Sequence, residues 1–201
     1  MKQDIILAGV GGQGILSIAY VIDNAALADG LRFKQAEVHG MSQRGGAVQS
    51  HLRLSSDRIW SDLVPRRGAD LLLSVEPLET LRYLDYLSPQ GTIVTSAAPF
   101  KNIPDYPELE KVLAEVRRAG RAVIVEAEHL AKDAGTSKAQ NIVMLGAASP
   151  FLILKEESLR RFIEELFKAR GPNIVAANLK AFDLGRRASF ESADACARGT
   201  V

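Results

Sequence analysis

The chain is poor in the side chains that hold metals and redox centres. Among its 201 residues there is one cysteine, Cys196, and there are three histidines, His39, His51 and His129. A single thiol closes no internal disulfide, which fits a reducing compartment. Nor can it hold an iron–sulfur cluster, which needs several thiolates. The histidines are too scattered to suggest a zinc site, and no metal site is expected. Excess charge is also missing: 25 Lys and Arg stand against 24 Asp and Glu, a formal +1. That leaves no broad basic field for nucleic acid and no acidic tail. The opening apolar run, Ile5–Ala8, is too short for a signal peptide or a membrane span. A soluble, cytoplasmic protein without a membrane segment is the expectation.

What is present suits one globular domain. Hydrophobic residues make up 47% and charged residues 24%, ordinary for a chain that buries a core. Ile5–Val10 reads as a buried strand bounded by glycines. Ile15–Ala28 has apolar residues at helical spacing, with Gly30 placed to end the helix. Phe33–Val38 suits a second strand. Val48, Ser50, Leu52 and Leu54 alternate with Gln49, His51 and Arg53, a strand with one wet face. After the turn at Ser55–Arg58, Ile59 and Trp60 can start a returning antiparallel strand. Further strands are expected at Leu71–Val75, Thr92–Thr95 and Ala122–Val125. Helices are expected from Glu76 to about Leu87 and over Leu109–Ala119, Glu128–Asp133, Ala139–Ala148, Glu156–Lys168 and Asn173–Leu184. The small and polar residues from Arg186 on read as a loose tail. This alternation predicts an α/β fold, a Rossmann-like three-layer sandwich. Its sheet would be mainly parallel with an antiparallel hairpin, with extra helices at the C-terminal end. The domain would run from 1 to 185 and the tail from 186 to 201.

Two loops carry the chemical interest. Gly9-Val10-Gly11-Gly12-Gln13-Gly14 fits G-x-G-x-x-G between a strand and a helix. Glycines let the main chain approach a ligand closely, and the helix N–H groups behind them attract an anion. The same glycines also serve close strand–helix packing. Glu37, at the end of the second strand, keeps a nicotinamide or flavin dinucleotide open. The second loop, His39-Gly40-Met41-Ser42-Gln43-Arg44-Gly45-Gly46, gathers a hydroxyl, an amide and a guanidinium between glycines. Arg44 can fork two bonds to a phosphate or carboxylate, and Gly45-Gly46 can form a concavity of N–H groups.

Together the two loops, with Val48-Gln49-Ser50-His51 after them, resemble the gamma-type domain of 2-oxoacid:ferredoxin oxidoreductases, the indolepyruvate branch in particular. The resemblance continues through Gly68-Ala69-Asp70, Glu76-Pro77-Leu78-Glu79, Asn141 and Leu145-Gly146-Ala147. It implies a small subunit, inactive alone, whose large alpha partner carries thiamine diphosphate and iron–sulfur clusters. The complex would decarboxylate a 2-oxoacid oxidatively, form an acyl-CoA with coenzyme A as co-substrate, and pass electrons to ferredoxin. By position, Gly9, Gly11, Gly12, Gln13 and Gly14 would line a phosphate or the partner's cofactor edge. Met41, Ser42, Gln43, Arg44 and Gly45 would reach toward substrate or coenzyme A. No catalytic acid or base is expected in this chain, since thiamine chemistry is mostly the cofactor's own. A subunit isolated from its partner can pair as a homodimer through the exposed patch. A free-standing nicotinamide or flavin enzyme and a purely bracing subunit are the competing readings.

Other residues read more plainly. Arg66-Arg67 suits a solvated turn, and Trp60 suits packing or an interface. Glu76 and Glu79 suit a helix N-terminus, and Glu126 with Glu128 lacks a supporting base. His51 alone reads as a hydrogen-bonded structural histidine.

Overall fold

The computed structural model describes residues 1–39, 45–101 and 103–197. A six-stranded sheet with the order β2-β3-β1-β4-β5-β6 forms its middle layer. The strands are β1 (Lys2–Val10), β2 (Arg32–His39), β3 (Ala47–Ser55), β4 (Ala69–Ser74), β5 (Leu87–Ser96) and β6 (Arg121–Val125). From β1 through β4 and β5 to β6 all pairings are parallel, whereas β3 is antiparallel to both β1 and β2. The α/β class and the mainly parallel sheet are as the sequence predicts, but the hairpin is a different one. β3 returns against β2 and lies between β2 and β1. Both its edges are therefore taken, and a returning strand at Ile59-Trp60 cannot pair with it. Residues 57–66 instead form an irregular strap on the back of the sheet. Arg53 Nη1 donates to the carbonyls of Ser61 (3.1 Å) and Leu63 (3.2 Å), and the Val64 N–H donates to His51 Nδ1 (3.1 Å).

β1 is the central strand, and its side chains alternate between two cores. Ile5 and Leu7 face the front, where α1 (Ile15–Ala28), α5 (Gln140–Ala148) and α6 (Glu156–Phe167) build the main core. Ile6 and Ala8 face the back with Val64, Ala69 and Leu72. All four are fully buried, and each large side chain so removed from water contributes about 1.5–3 kcal/mol before entropy is charged. α2 (Pro77–Arg82) and α3 (Leu109–Arg118) lie on the back. α2 is shorter than expected. It ends at Arg82, a 3₁₀ turn follows at Leu84–Tyr86, and Leu87 already begins β5 and packs under the back core.

α5 is buried along its whole length because it is enclosed between the sheet and α7 (Pro172–Ala197). The two helices touch backbone to backbone. A Cβ on Gly146 would stand 2.0 Å from the Phe182 carbonyl oxygen, and one on Gly185 1.9 Å from that of Val143. The expected loose tail from Arg186 is corrected here: α7 continues to Ala197, so the boundary at 185 falls inside a helix. Ala181, Ala188 and Ser189 are packing residues. Ser189 is buried, Ala188 rests on the core, and Arg186 donates to Ser149 Oγ (2.8 Å) and pairs with Glu156 (3.0 Å). Among the described residues no helix is long and apolar enough to cross a membrane.

Candidate functional site

The carboxyl ends of β1 and β4 mark the switch point of the sheet, since α1 leaves β1 toward the front and α2 leaves β4 toward the back. Open α/β sheets bind ligands at such a crevice, and the glycine loop sits there. Gln13 braces it. Its Oε1 accepts the Val10 N–H (2.8 Å), and its Nε2 reaches the Val75 carbonyl across the crevice (3.5 Å). The Gln13 side chain is thus committed to the main chain on both sides of the switch point.

Gly14 ends the loop in the left-handed region (φ +80°) and begins α1 without a side-chain cap. The Asn141 amide donates to the Gly14 carbonyl (3.3 Å), which also receives the Ser17 and Ile18 N–H groups. A Cβ on Gly14 would lie 2.5 Å from Asn141 Nδ2. The loop is therefore held from α5 as well as from β4.

The two loops singled out in the sequence meet. Gly11 donates its N–H to the Gly46 carbonyl (2.8 Å), and Gly45 donates its own to the Gly11 carbonyl (3.2 Å). These bonds extend the β1–β3 ladder past Val10↔Ala47. Beside them an open depression of about 400 Å³ is lined by Val10, Gly11, Gly12, Gly14, Ile15, Leu16 and Val48. Its walls are aliphatic and its floor is glycine main chain with the uncapped end of α1. That combination suits a ligand with an apolar body and an anionic group. A slightly larger depression, about 440 Å³, lies at the other end of the sheet around Gly91 and Gly120. It lacks a loop at strand carboxyl ends.

Of the expected site residues, Gly9, Gly11, Gly12, Gln13, Gly14 and Gly45 come together at this point. Met41, Ser42, Gln43 and Arg44 lie outside the described residues. Glu37 does not reach the glycine loop in the way a dinucleotide site requires. β3 stands between β2 and β1, about two strand spacings or ~10 Å, and the Glu37 carboxylate accepts from Gln35 Nε2.

The polar back face of β3 is structural. His51 accepts the Val64 N–H, meets Tyr86 edge-on at 5.1 Å, and is pushed to lower pKa by burial. Arg53 forks onto Asp4 (2.7 and 3.1 Å). Glu76 is also fully engaged. It caps α2 through the Glu79 N–H (2.8 Å) and accepts from the Phe100 N–H and the Tyr106 hydroxyl. Burial pushes the Glu79 carboxyl up, opposed by Arg82 at 3.1 Å. Glu128 pairs with Lys132 at the surface.

The sequence reading passed over Asp23. It lies in α1 at 4% exposure with Oδ1 lacking a hydrogen-bond partner. Burial first, and the nearby Glu37 charge second, raise its carboxyl to about 7. Its signal was a lone charge in an otherwise uncharged helix.

Three comparisons bear on this geometry. The family model described as "Pyruvate ferredoxin/flavodoxin oxidoreductase" matches residues 4–188. Indolepyruvate oxidoreductase subunit IorB of Thermococcus kodakarensis is 38% identical over 95% of this chain and 98% of its own length. 2-oxoglutarate synthase subunit KorC of Methanothermobacter marburgensis is 28% identical over 95% of this chain and 98% of its own length. Among solved structures, the 2-oxoglutarate:ferredoxin oxidoreductase from Magnetococcus marinus, with 2-oxoglutarate, coenzyme A and succinyl-CoA bound, superposes with a TM-score of 0.77 at 23% identity. That match covers 94% of this chain but 31% of the larger one, and it shows the fold.

Proposed function

Because this chain belongs to the pyruvate ferredoxin/flavodoxin oxidoreductase family, we propose that it is the small subunit of a 2-oxoacid:ferredoxin oxidoreductase acting on indolepyruvate or another aryl 2-oxoacid. The observation that carries this is end-to-end similarity to an indolepyruvate subunit, higher than to a 2-oxoglutarate one. Residues 1–185 contain the gamma-type catalytic unit, extended by the rest of α7. A cytoplasmic location goes with this reading.

The large alpha subunit holds the thiamine diphosphate and the iron–sulfur clusters. The thiamine ring supplies the electron sink for loss of carbon dioxide. In the complex coenzyme A would be the acyl acceptor and the clusters would conduct the two electrons to ferredoxin. This chain's share is positioning. Gly12, Gly14 and the start of α1 offer N–H groups to a phosphate of coenzyme A or to the substrate carboxylate, while the Gly11 and Gln13 N–H groups are bonded to the Gly46 and Val10 carbonyls. Val10, Ile15, Leu16 and Val48 give the neighbouring aliphatic wall and exclude water from it. Met41, Ser42, Gln43 and Arg44 directly precede Gly45 in sequence and would complete the ligand contacts, with Arg44 neutralising the anion. Gln13 holds the loop open rather than contacting the ligand.

The test is reconstitution with the large subunit and a thiamine- and coenzyme-A-dependent assay of acceptor reduction over a panel of 2-oxoacids. Activity should appear only with both chains and be highest with arylpyruvates. Arg44→Ala should lower turnover roughly 10-fold or more, the scale of losing a charge-assisted contact to a reacting anion. A large subunit equally active without this chain overturns the reading, and unchanged kinetics in the variant remove the role of Arg44.

A further inference from the structure

The front of the sheet is layered across its width, with α1 over β1, β2 and β3. The back is layered on one half only. α2 packs on β1, β4 and β5 and α3 on β6, but among the described residues no helix other than α1 packs substantially on β2 or β3. There the strap of residues 57–66 stands in for a helix, and it leaves large apolar groups in water. Val38 on β2 is 50% exposed, Leu63 53% and Trp60, the chain's single tryptophan, 77%.

On the walls beside Trp60 cations outnumber the one carboxylate, Asp4, which is itself paired with Arg53 and Lys2. The Arg58 guanidinium stacks on the indole at 4.0 Å. Two shallow depressions, about 270 and 300 Å³, flank the ring and share Arg58 and Trp60, and Arg32 and Lys34 line one of them. None of these three cations has a carboxylate at ion-pair distance among the described residues.

We propose that this unlayered back face is where the large partner subunit docks. Its docking segment would present carboxylates to Arg32, Lys34 and Arg58 and an apolar slot to the Trp60 indole. The inference rests on the small-subunit reading. The cations fix the occupant's charge, and tryptophan and arginine are the side chains that anchor protein interfaces. Extent argues for a protein over a small anion. From Arg32 to Val38 along β2 is about 20 Å, and the depressions are too open to enclose a ligand. The Val38 end also adjoins the Gly45–Gly46 turn, so the same partner reaches the site end of the sheet.

The test labels this chain with 5-fluorotryptophan, which gives one fluorine resonance, and titrates in the large subunit. That resonance should shift and broaden. Trp60→Ser should weaken assembly at least about 10-fold with an unchanged melting temperature, since the side chain is exposed. Lys34→Glu should weaken it at low salt and less so at high salt. If wild-type chains do not associate, the small-subunit reading and this face both fall. Association with an unmoved resonance and an undiminished Trp60→Ser complex overturns the docking face alone. So does a small aryl carboxylate that moves the resonance while Trp60→Ser still assembles normally, which would make Trp60 a ligand site.

Discussion

At the scale of single residues, Asp23 and Gly14 show how closely α1 is fitted to its surroundings. The Asp23 carboxyl is raised to about 7 from an ordinary value near 3.8. The folded chain therefore holds that proton more tightly than the unfolded chain does. Stability from this group is full only below about pH 3.8, declines as pH rises toward 7, and is lost above it. By linkage the difference amounts to at most about 4 kcal/mol. Asp23→Asn should match the wild type at pH 4 and exceed it by about 1–4 kcal/mol at pH 8, measured by urea unfolding at both pH values. A variant no more stable at pH 8 would show that the carboxylate has found a partner. Gly14→Ala meets two penalties, a positive φ that L-residues resist at about 1 kcal/mol or more and a Cβ 2.5 Å from Asn141 Nδ2. It should cost about 2 kcal/mol in a denaturant titration and weaken ligand binding at the loop. Asn141→Ala added to it should recover part of the stability, because the clash partner is then gone.

At the scale of elements, the contact between α5 and α7 is the least forgiving in the fold. Gly146 and Gly185 let two backbones meet, and a methyl group on either would overlap a carbonyl oxygen. Gly146→Ala should push the helices apart and cost more than about 3 kcal/mol, beyond the usual range for one methyl group. A calorimetric scan would read it as a drop in melting temperature, and an unshifted transition would mean that α7 slides freely. These elements differ in how far the sequence showed them. α1 was legible to the residue, because its apolar period and the flanking Gly14 and Gly30 are local signals. The pairing of β3 was not. Its alternation shows a strand with one wet face, but which neighbours it joins is settled by β1, far off in sequence. The length of α7 was hidden for another reason. Ala188 and Ser189 look like tail residues until a partner surface such as Ser149 and Glu156 is known. The candidate site was half visible. Each glycine motif could be read alone, but their joining through Gly11, Gly45 and Gly46 needs the ladder that places β3 beside β1.

At the scale of the whole molecule, a net charge of +1 conceals an uneven surface. The cations around Trp60 lie on the half of the sheet that β2 and β3 add, and the aliphatic wall at the glycine loop reaches that half through Val48. That half carries the features by which the chain is proposed to meet its partner, while the β4–β6 half carries most of the helical scaffold. The central place of β1 has a consequence for how the chain is made. Residues 2–10 leave the ribosome before either strand they pair with, one neighbour being complete only at Ser55 and the other only at Ser74. At usual elongation rates the central strand waits roughly 2–9 s with both edges bare and roughly 3–13 s before the second can be covered. A nascent chain in that interval presents an open template for pairing with its like.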